Sequence, residues 1–361
     1  MLFHFFTSLV DQYSFLNVFK YLTFRTGLSV MTSLVLVFII GGPLIKIFSE
    51  NMITGPIRQD GPIDHIVKKS GTPTMGGVII IIGIISGTLL WADLTNIYVW
   101  LLIFVSLSLG CLGLLDDILK IKYKNSSGLK SRYKFSGQLL IAGITLFILI
   151  KYSNHEYLFN LYFPFFKNLI WQMGLFFIPF GLFVIIGASN AVNLTDGLDG
   201  LATVPVMLVA LSFTLISYVV GNTIFSEYLK IQYIPDVGEL SIFCGSIVGS
   251  CLGFLWYNAP PAKIFMGDTG SLSLGGSLAA IAIIVKHEIV LAIIGGLFVL
   301  ETVSVIIQVI SFKFTGRRIF KMAPIHHHFE KKGWAESTIV IRFWIIAIIL
   351  ALVGLATLKL R

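Results

Sequence analysis

Charged residues are scarce in this chain of 361 residues. Asp, Glu, Lys and Arg together make up 12% of it, whereas hydrophobic residues make up 56%. A soluble globular domain carries about a quarter charged residues, so this composition excludes that class and indicates a protein that lies mostly in lipid. The net charge of +8 is not gathered into a basic stripe, which argues against a nucleic-acid partner.

Cysteine is scarcer still, with three residues in the chain. Cys111, Cys244 and Cys251 all fall within long apolar segments. We therefore expect small buried side chains at these positions, and neither a disulfide framework nor a metal site.

Long apolar segments dominate what is present. A membrane-spanning helix needs roughly 20 mostly apolar residues, and ten segments meet that length, at roughly 24–48, 75–92, 97–115, 134–151, 170–189, 200–221, 239–257, 269–285, 289–311 and 339–358. The sequence thus predicts an all-α, polytopic integral membrane protein with about ten transmembrane helices in a single transmembrane domain, 1–361. The first span lacks a small-residue cleavage site, so we expect it to stay in the mature protein.

The basic residues predict how the spans are oriented. About 18 of the 26 Lys and Arg residues lie in the odd-numbered loops and the span ends beside them. The positive-inside rule places those loops in the cytoplasm and both termini outside it. Residues 312–338 then form a long cytoplasmic loop. The Phe-rich residues 1–23 predict an interfacial segment on the outer face, with a disordered tail as the alternative.

Paired carboxylates interrupt this apolar pattern at two places. Asp196 and Asp199 are three residues apart in Asn-Ala-Val-Asn-Leu-Thr-Asp-Gly-Leu-Asp-Gly, between two apolar runs. Asp116 and Asp117 are adjacent at the end of the third predicted span, where two negative charges need a cation or a shared proton. Helix-capping side chains in the first motif, and an i,i+4 ion pair from Asp116 to Lys120 in the second, are the structural alternatives.

Three further motifs carry polar chemistry. Lys68 and Lys69 precede a Gly/Thr-rich turn that could hold a phosphate or simply flank a span, and Asp268 lies in a Gly-Asp-Thr-Gly turn that an Asx-turn would also explain. Three successive histidines, 326–328, cannot all face one point, but one or two could contact phosphate or transfer a proton. Glu301, inside the ninth predicted span, is left without an assignment.

Every one of these motifs except Glu301 falls in an odd-numbered loop, so topology predicts one shared site on one face of the membrane. Several carboxylates with lysines and glycine turns suit phosphoryl transfer supported by Mg²⁺, which takes a few carboxylate oxygens plus substrate phosphates. The residues by themselves indicate a membrane-embedded transferase that acts on an anionic substrate.

The motifs also resemble a known family. Lys69-Ser-Gly-Thr-Pro-Thr-Met-Gly-Gly, Leu115-Asp-Asp-Ile-Leu-Lys, the Asn190–Gly200 stretch, Phe265-Met-Gly-Asp-Thr-Gly-Ser and Pro324-Ile-His-His-His-Phe-Glu are similar to those of the phospho-N-acetylmuramoyl-pentapeptide transferases, over effectively the whole chain. The resemblance implies ten transmembrane helices, a frequent homodimer and a place in the bacterial inner membrane. It implies Mg²⁺-dependent transfer of phospho-MurNAc-pentapeptide from its UDP-linked precursor to undecaprenyl phosphate, which yields lipid I and UMP at the cytoplasmic face.

The same resemblance implies roles for individual residues. Asp268 would be the principal Mg²⁺ ligand with Asp117 beside it, and Asp116 would be the base that deprotonates the lipid phosphate. The predicted substrate contacts are Lys69, Thr74, Lys120, Asn193, Asp196, Gly197, Leu198, Asp199, Asn258, Phe265, His327 and His328. Of these, Asn193 and Asp196 would border the phosphate and sugar, 197–199 and Phe265 the uridine, and the two histidines the sugar-peptide. Transfer in one step and transfer through an aspartyl-phosphate both stay open.

Two alternatives accompany this hypothesis. A sister enzyme that moves N-acetylglucosamine phosphate to the same lipid would share the acidic motifs, but the Pro-Ile-His-His-His-Phe-Glu loop favours the muramoyl substrate. An ion-coupled transporter would use the Asp residues to bind the driving cation. The clustering of acids at one face and the lack of an internal repeat argue against it.

Overall fold

A computed structural model describes residues 1–54, 71–123, 128–153, 156–166 and 169–359. Helices account for most of these residues. They are α1 (Leu2–Ser8), α2 (Leu22–Glu50), α3 (Gly77–Trp91), α4 (Ile97–Tyr123), α5 (Ser131–Tyr152), α6 (Phe177–Thr195), α7 (Thr203–Val220), α8 (Thr223–Leu229), α9 (Leu240–Asn258), α10 (Gly267–Ile284), α11 (Glu288–Ile294), α12 (Gly296–Thr315), α13 (Ile325–Glu330) and α14 (Glu336–Ala356). Two short strands, β1 (Asn160–Tyr162) and β2 (Ile170–Gln172), pair antiparallel.

Nine helices within the described residues are long and apolar enough to cross a membrane: α2, α4, α5, α6, α7, α9, α10, α12 and α14, two of them with a preceding 3-10 turn. The remaining predicted span, 75–92, corresponds to α3, which is apolar but has 15 residues. The prediction of an all-α polytopic membrane protein is thus confirmed. The side of the membrane on which each terminus lies stays a prediction.

Two predicted spans differ from the helices. The segment predicted at 170–189 begins with β2, and its helix, α6, starts at Phe177 and extends to Thr195. The segment predicted at 289–311 is divided into α11 and α12 at Gly295. Gly295 and Gly296 follow each other there, and two residues without side chains make this the weakest point of the helix.

Helix α10 is the centre of the bundle. All but two of its 18 residues are buried, and it packs against α4 on one side and α6 on the other. Hydroxyl contacts join these helices within the apolar core, as between Ser106 Oγ and Ser273 Oγ at 2.9 Å. Small and hydroxyl-bearing residues let helices approach closely in lipid, where apolar surface alone gives no preference for another helix. The first turn of α10, which carries Asp268, is therefore held by its neighbours.

The two ends of the bundle differ in chemistry. At one end, Arg25 forms an ion pair with Glu239 at 2.6 Å, and the Glu239 carboxylate also accepts from the Asp93 backbone N–H. The N-terminal amine donates to Leu89 O at 2.7 Å, which fixes α1 on the same end. Residues 1–23 thus contain α1 and a 3-10 helix, Ser14–Lys20, and their place at the outer interface stays a prediction. The acidic motifs lie at the other end.

The cysteine prediction was right at two positions and wrong at one. Cys244 and Cys251 are buried free thiols, whereas Cys111 is exposed. It lies on the face of α4 that points away from the core, which the apolar composition of the segment could not distinguish from a buried face.

Candidate active site

The three predicted catalytic aspartates come together at one end of the bundle, around two lysines. Lys120 Nζ lies 2.7 Å from Asp116 Oδ2, 3.0 Å from Asp268 Oδ2 and 3.9 Å from Asp117 Oδ1. Lys134 Nζ lies 2.5 Å from Asp268 Oδ2 and 3.5 Å from Asp116 Oδ2. Asp116 and Asp117 are buried, and Asp268 is half-buried. The i,i+4 pair from Asp116 to Lys120 does exist, but as one part of this larger cluster.

Asp117 fixes the start of α10. Its carboxylate accepts from the Asp268 N–H at 3.2 Å, the Thr269 N–H at 3.0 Å and the Thr269 hydroxyl at 2.8 Å. The first N–H groups of a helix have no partner within the helix and favour a negative charge. Asp117 therefore holds Asp268 in place as much as it offers oxygen to a ligand.

Asp116 is held by a different partner. Its Oδ1 accepts from the Leu129 backbone N–H at 2.5 Å, and a Cβ on Gly128 would lie 2.4 Å from the same oxygen. Gly128 has φ +54°, which glycine adopts at little cost. The segment after residue 127 thus folds directly over Asp116, which only glycine permits at this position.

Glycine also sets the approach of α4 to α10. A Cβ on Gly113 would lie 2.2 Å from the Asp268 carbonyl oxygen, a backbone atom that cannot move independently of its helix. The Asp116–Asp268 geometry therefore depends on a bare backbone at Gly113.

We expect Gly113→Ala to lower the stability of the protein by about 1–3 kcal/mol, because the added methyl must separate the two helices. Thermal unfolding in detergent measures the effect. Gly143→Ala on α5 is the matched control, since nothing lies within 4 Å of its added Cβ. Equal midpoints for the two variants would contradict close packing at Gly113.

Asn193 and the Asn190 turn of α6 line the next side of the cluster. The Asn193 amide donates to Asp268 Oδ1 and to Ser271 Oγ, both at 2.9 Å. Deeper in the bundle, the Asn190 amide donates to Gln138 Oε1 at 3.0 Å. The polarity of the Asn190–Gly200 motif predicted a functional role. The structure places Asn193 in direct contact with the aspartate cluster.

The turn 196–200 follows α6 and carries four of the predicted substrate contacts. Burial, and then the charges of Asp268 and Asp117, raise the pKa of the half-buried Asp196 to about 7. The Asp199 backbone N–H donates to Glu336 Oε1 at 3.0 Å, and Asp199 Oδ2 accepts from the Ala262 N–H at 2.9 Å. Asp196 is thus directed at the cluster, whereas Asp199 joins the turn to two other segments.

Asn258 joins the same turn to the segment that precedes Asp268. Its Oδ1 accepts from the Gly200 N–H at 3.1 Å and the Thr203 hydroxyl at 2.8 Å, and its Nδ2 donates to Ile264 O at 3.0 Å. The side chain is buried. Its predicted role as a substrate contact stays a prediction, but these bonds already give it a positioning role.

Thr74 and Phe265 lie on two segments that run side by side. The Phe265 N–H donates to Pro73 O at 2.9 Å, and the Gly76 N–H donates to Phe265 O at 2.8 Å. Thr74 Oγ1 faces Gly267, one residue before Asp268. Both predicted contacts are therefore close to the cluster. Lys69 lies outside the described residues.

The side chains of the three consecutive histidines point to different partners, as expected for neighbouring residues. His327 Nδ1 lies 2.6 Å from Glu330 Oε2, and His328 Nδ1 accepts from the Lys321 N–H at 3.0 Å. Slight burial and the charges of Lys332 and Lys321 lower the pKa of His328. His326, which was not predicted as a site residue, is fully buried and faces Gly197. Its position could not be read from a run of identical residues.

Lys134 is the other residue that the sequence analysis missed. It contacts Asp268 and Asp116 from the first turn of α5, within a segment predicted as a span. Its signal in the sequence was a single charge at a span boundary, which is typical of ordinary positive flanks.

The donor set fits a divalent ion that shares its ligands with a substrate. Carboxylates of Asp116, Asp117, Asp196 and Asp268 outnumber the ammonium groups of Lys120 and Lys134 here. In the described part of the chain, no group of three or more Asp, Glu, His or Cys side chains forms a complete metal cage. Mg²⁺ is commonly held by one or two carboxylates plus phosphate oxygens and water, so Asp268, with Asp117 beside it, could supply the protein's share.

Comparisons with known proteins identify the family of this chain. The family model for glycosyl transferase family 4 matches residues 99–286, and signature 1 of phospho-N-acetylmuramoyl-pentapeptide-transferase matches residues 69–81. Phospho-N-acetylmuramoyl-pentapeptide-transferase of Pelagibacter ubique (strain HTCC1062) is 68% identical over 361 residues, and that of Maricaulis maris (strain MCS10) is 54% identical over 371 residues; in both cases the whole of each chain is covered. The chain therefore belongs to the phospho-N-acetylmuramoyl-pentapeptide-transferase family.

Proposed function

We propose that this chain transfers phospho-MurNAc-pentapeptide from UDP-MurNAc-pentapeptide to undecaprenyl phosphate, giving lipid I and UMP. The observation that carries the proposal is the convergence of Asp116, Asp117 and Asp268 on Lys120 and Lys134 at one end of a membrane-type helix bundle. The chain is also identical over its full length at 68% and 54% of positions to two phospho-N-acetylmuramoyl-pentapeptide-transferases, which supports the assignment of these substrates.

The residues of the cluster would bind a diphosphate through different groups. Lys120 and Lys134 offer ammonium groups to phosphate oxygens, and their present partners, Asp116 and Asp268, are freed in part when a phosphate replaces them. Asn193 steadies Asp268 through its amide. Bound Mg²⁺ would neutralise the charge that develops between the phosphates. The assignment of Asp116 as the base for the lipid phosphate stays part of the proposal.

The location of the cluster suits one substrate that comes from water and another that comes from the bilayer. It lies at the end of the bundle, where a water-soluble nucleotide and a lipid phosphate can both arrive. The proposal places that end at the cytoplasmic face of a bacterial inner membrane, as the distribution of basic residues predicts. It also includes a homodimer, which the family resemblance implies.

The deciding experiment measures UMP release by the purified protein. We expect release from UDP-MurNAc-pentapeptide only when undecaprenyl phosphate and Mg²⁺ are both present, and none after chelation. UDP-N-acetylglucosamine in place of the donor is the control for the sister activity. Equal release from both nucleotides would favour the N-acetylglucosamine transferase, and solute flux through proteoliposomes without release would favour a transporter.

A further inference from the structure

Glu301 and His326 form a buried acidic and basic pair that the proposed reaction does not use. Glu301 lies on α12 and His326 on α13, both are 0% exposed, and Glu301 Oε2 is 3.1 Å from His326 Nδ1. Among the described residues, neither carboxylate oxygen and neither ring nitrogen has a partner with hydrogen-bond geometry. Among the described residues, the ion-pair contact that each of these side chains makes is with the other.

The surroundings make this pair costly. Glu301 is one helical turn from Leu297, which belongs to an apolar cluster with Leu198, Leu201, Ile339, Val340, Phe343 and Ala347. A polar group in such a setting is unfavourable unless it is paired, and buried pairs are often no better for stability than apolar residues of similar volume. Stability alone is therefore a weak reason for an acid and an imidazole at these positions.

The geometry of His326 supplies another reason. A Cβ on Gly197 would lie 2.3 Å from His326 Nε2, so the imidazole edge lies directly against the backbone of that residue. Gly197 follows Asp196, whose carboxylate is directed at the aspartate cluster. His326 thus contacts the turn 196–200 from α13 at Gly197.

The other side of this turn is fixed from α9 and α14. Asn258 Oδ1 accepts from the Gly200 N–H, Glu336 Oε1 accepts from the Asp199 N–H, and Trp344 Nε1 donates to Gly200 O at 3.2 Å. These bonds restrain residues 199 and 200. At Gly197, next to Asp196, the His326 ring packs against the turn, in addition to the local bond from the Gly197 N–H to Thr195 O at 2.8 Å.

We propose that Glu301 is a positioning residue that holds His326 against Gly197, and through it sets the turn 196–200 that receives the nucleotide donor. The negative carboxylate lies 3.1 Å from Nδ1 and so favours the ring orientation that leaves the Nε2 edge on the turn. This inference rests on the proposed function only in taking the turn as part of the donor site.

Amide hydrogen exchange over residues 196–203 tests the inference without any substrate. Glu301→Leu should speed exchange in this segment, because the ring loses the group that orients it. Thr302→Val, on the same helix and nearly unchanged in size, is the matched control and should leave exchange as in the wild type. Unchanged exchange in Glu301→Leu would overturn the proposal.

Kinetics give the second readout. We expect Glu301→Leu to lower kcat/KM for the donor about tenfold or more, since small displacements of a binding group have effects of this size or larger. Glu301→Gln keeps an acceptor oxygen and should recover most of the loss. The double variant Glu301→Leu with His326→Gln should lose no more than His326→Gln alone. Additive losses would show that Glu301 does not act through His326.

Two further arrangements keep the outcomes distinct. If Glu301→Leu does not assemble, Glu301→Met, which also removes the carboxylate, replaces it in the exchange experiment and in the cycle with His326→Gln. If the wild type releases no UMP, the proposed function fails, whereas the exchange experiment still decides whether Glu301 positions the turn.

Discussion

Asp268→Asn should lower the rate of UMP release by about 100- to 1,000-fold, the cost of removing one preorganised charge or donor from a transition state. Asp268 Oδ2 is the oxygen on which Lys120 and Lys134 meet, at 3.0 and 2.5 Å. An amide keeps the shape of the side chain but removes the charge between the two ammonium groups. It also removes the ligand that Mg²⁺ would share with the diphosphate.

The control for this variant is Asp11→Asn. Asp11 is exposed near the N-terminus, in a segment whose amine is fixed to the opposite end of the bundle, so the same change in net charge there should leave the rate unchanged. Size-exclusion profiles should match between the two variants, because the Asn193 and Asp117 contacts to residue 268 do not need its negative charge. A rate for Asp268→Asn within a few-fold of the wild type would remove Asp268 from the proposed centre.

Much of the architecture could be predicted because lipid restricts the choices. Composition and segment length were sufficient for an all-α bundle of about ten spans. They were not sufficient for the strand at Ile170–Gln172 or for the break at Gly295, because an apolar run reads the same in a strand, in a whole helix and in a broken one. The exposure of Cys111 could not be predicted for a related reason, since apolar residues of a membrane helix face both the lipid and the core.

The site was predictable where polarity stood out against an apolar background. Asp116, Asp117, Asn193, Asp196 and Asp268 were all singled out in that way, and the structure brings them together. Contacts between distant segments were beyond such reasoning. A run of three histidines does not distinguish His326 from its neighbours. Its pairing with Glu301 depends on how α12 and α13 pack, which no local sequence pattern predicts.

Sequence analysis missed Lys134 because its contacts also join distant segments. Its substitution is expected to have the second large effect on the rate of UMP release. It is 134 residues from Asp268 along the chain, yet its ammonium group is the shortest contact of that carboxylate. We expect Lys134→Met to lower the rate of UMP release by about 100-fold, because one of two cations beside the diphosphate is removed while side-chain length is kept. Lys134→Arg should lose less, since it retains the charge but not the point geometry of the ammonium group.

Lys130→Met, one turn earlier and exposed, is the matched control for the lysine and should keep the rate of the wild type. The comparison separates a role at the reacting phosphates from the general attraction of anions to a basic segment, because a general effect would follow net charge and would be equal at 130 and 134. It also separates catalysis from assembly. Lys120 still pairs with Asp268 and Asp116 when Lys134 is lost, so the cluster keeps one cation and the variant should fold. If Lys134→Met turned over like the wild type, Lys134 would be a structural ion pair, and Lys120 alone would have to face the diphosphate.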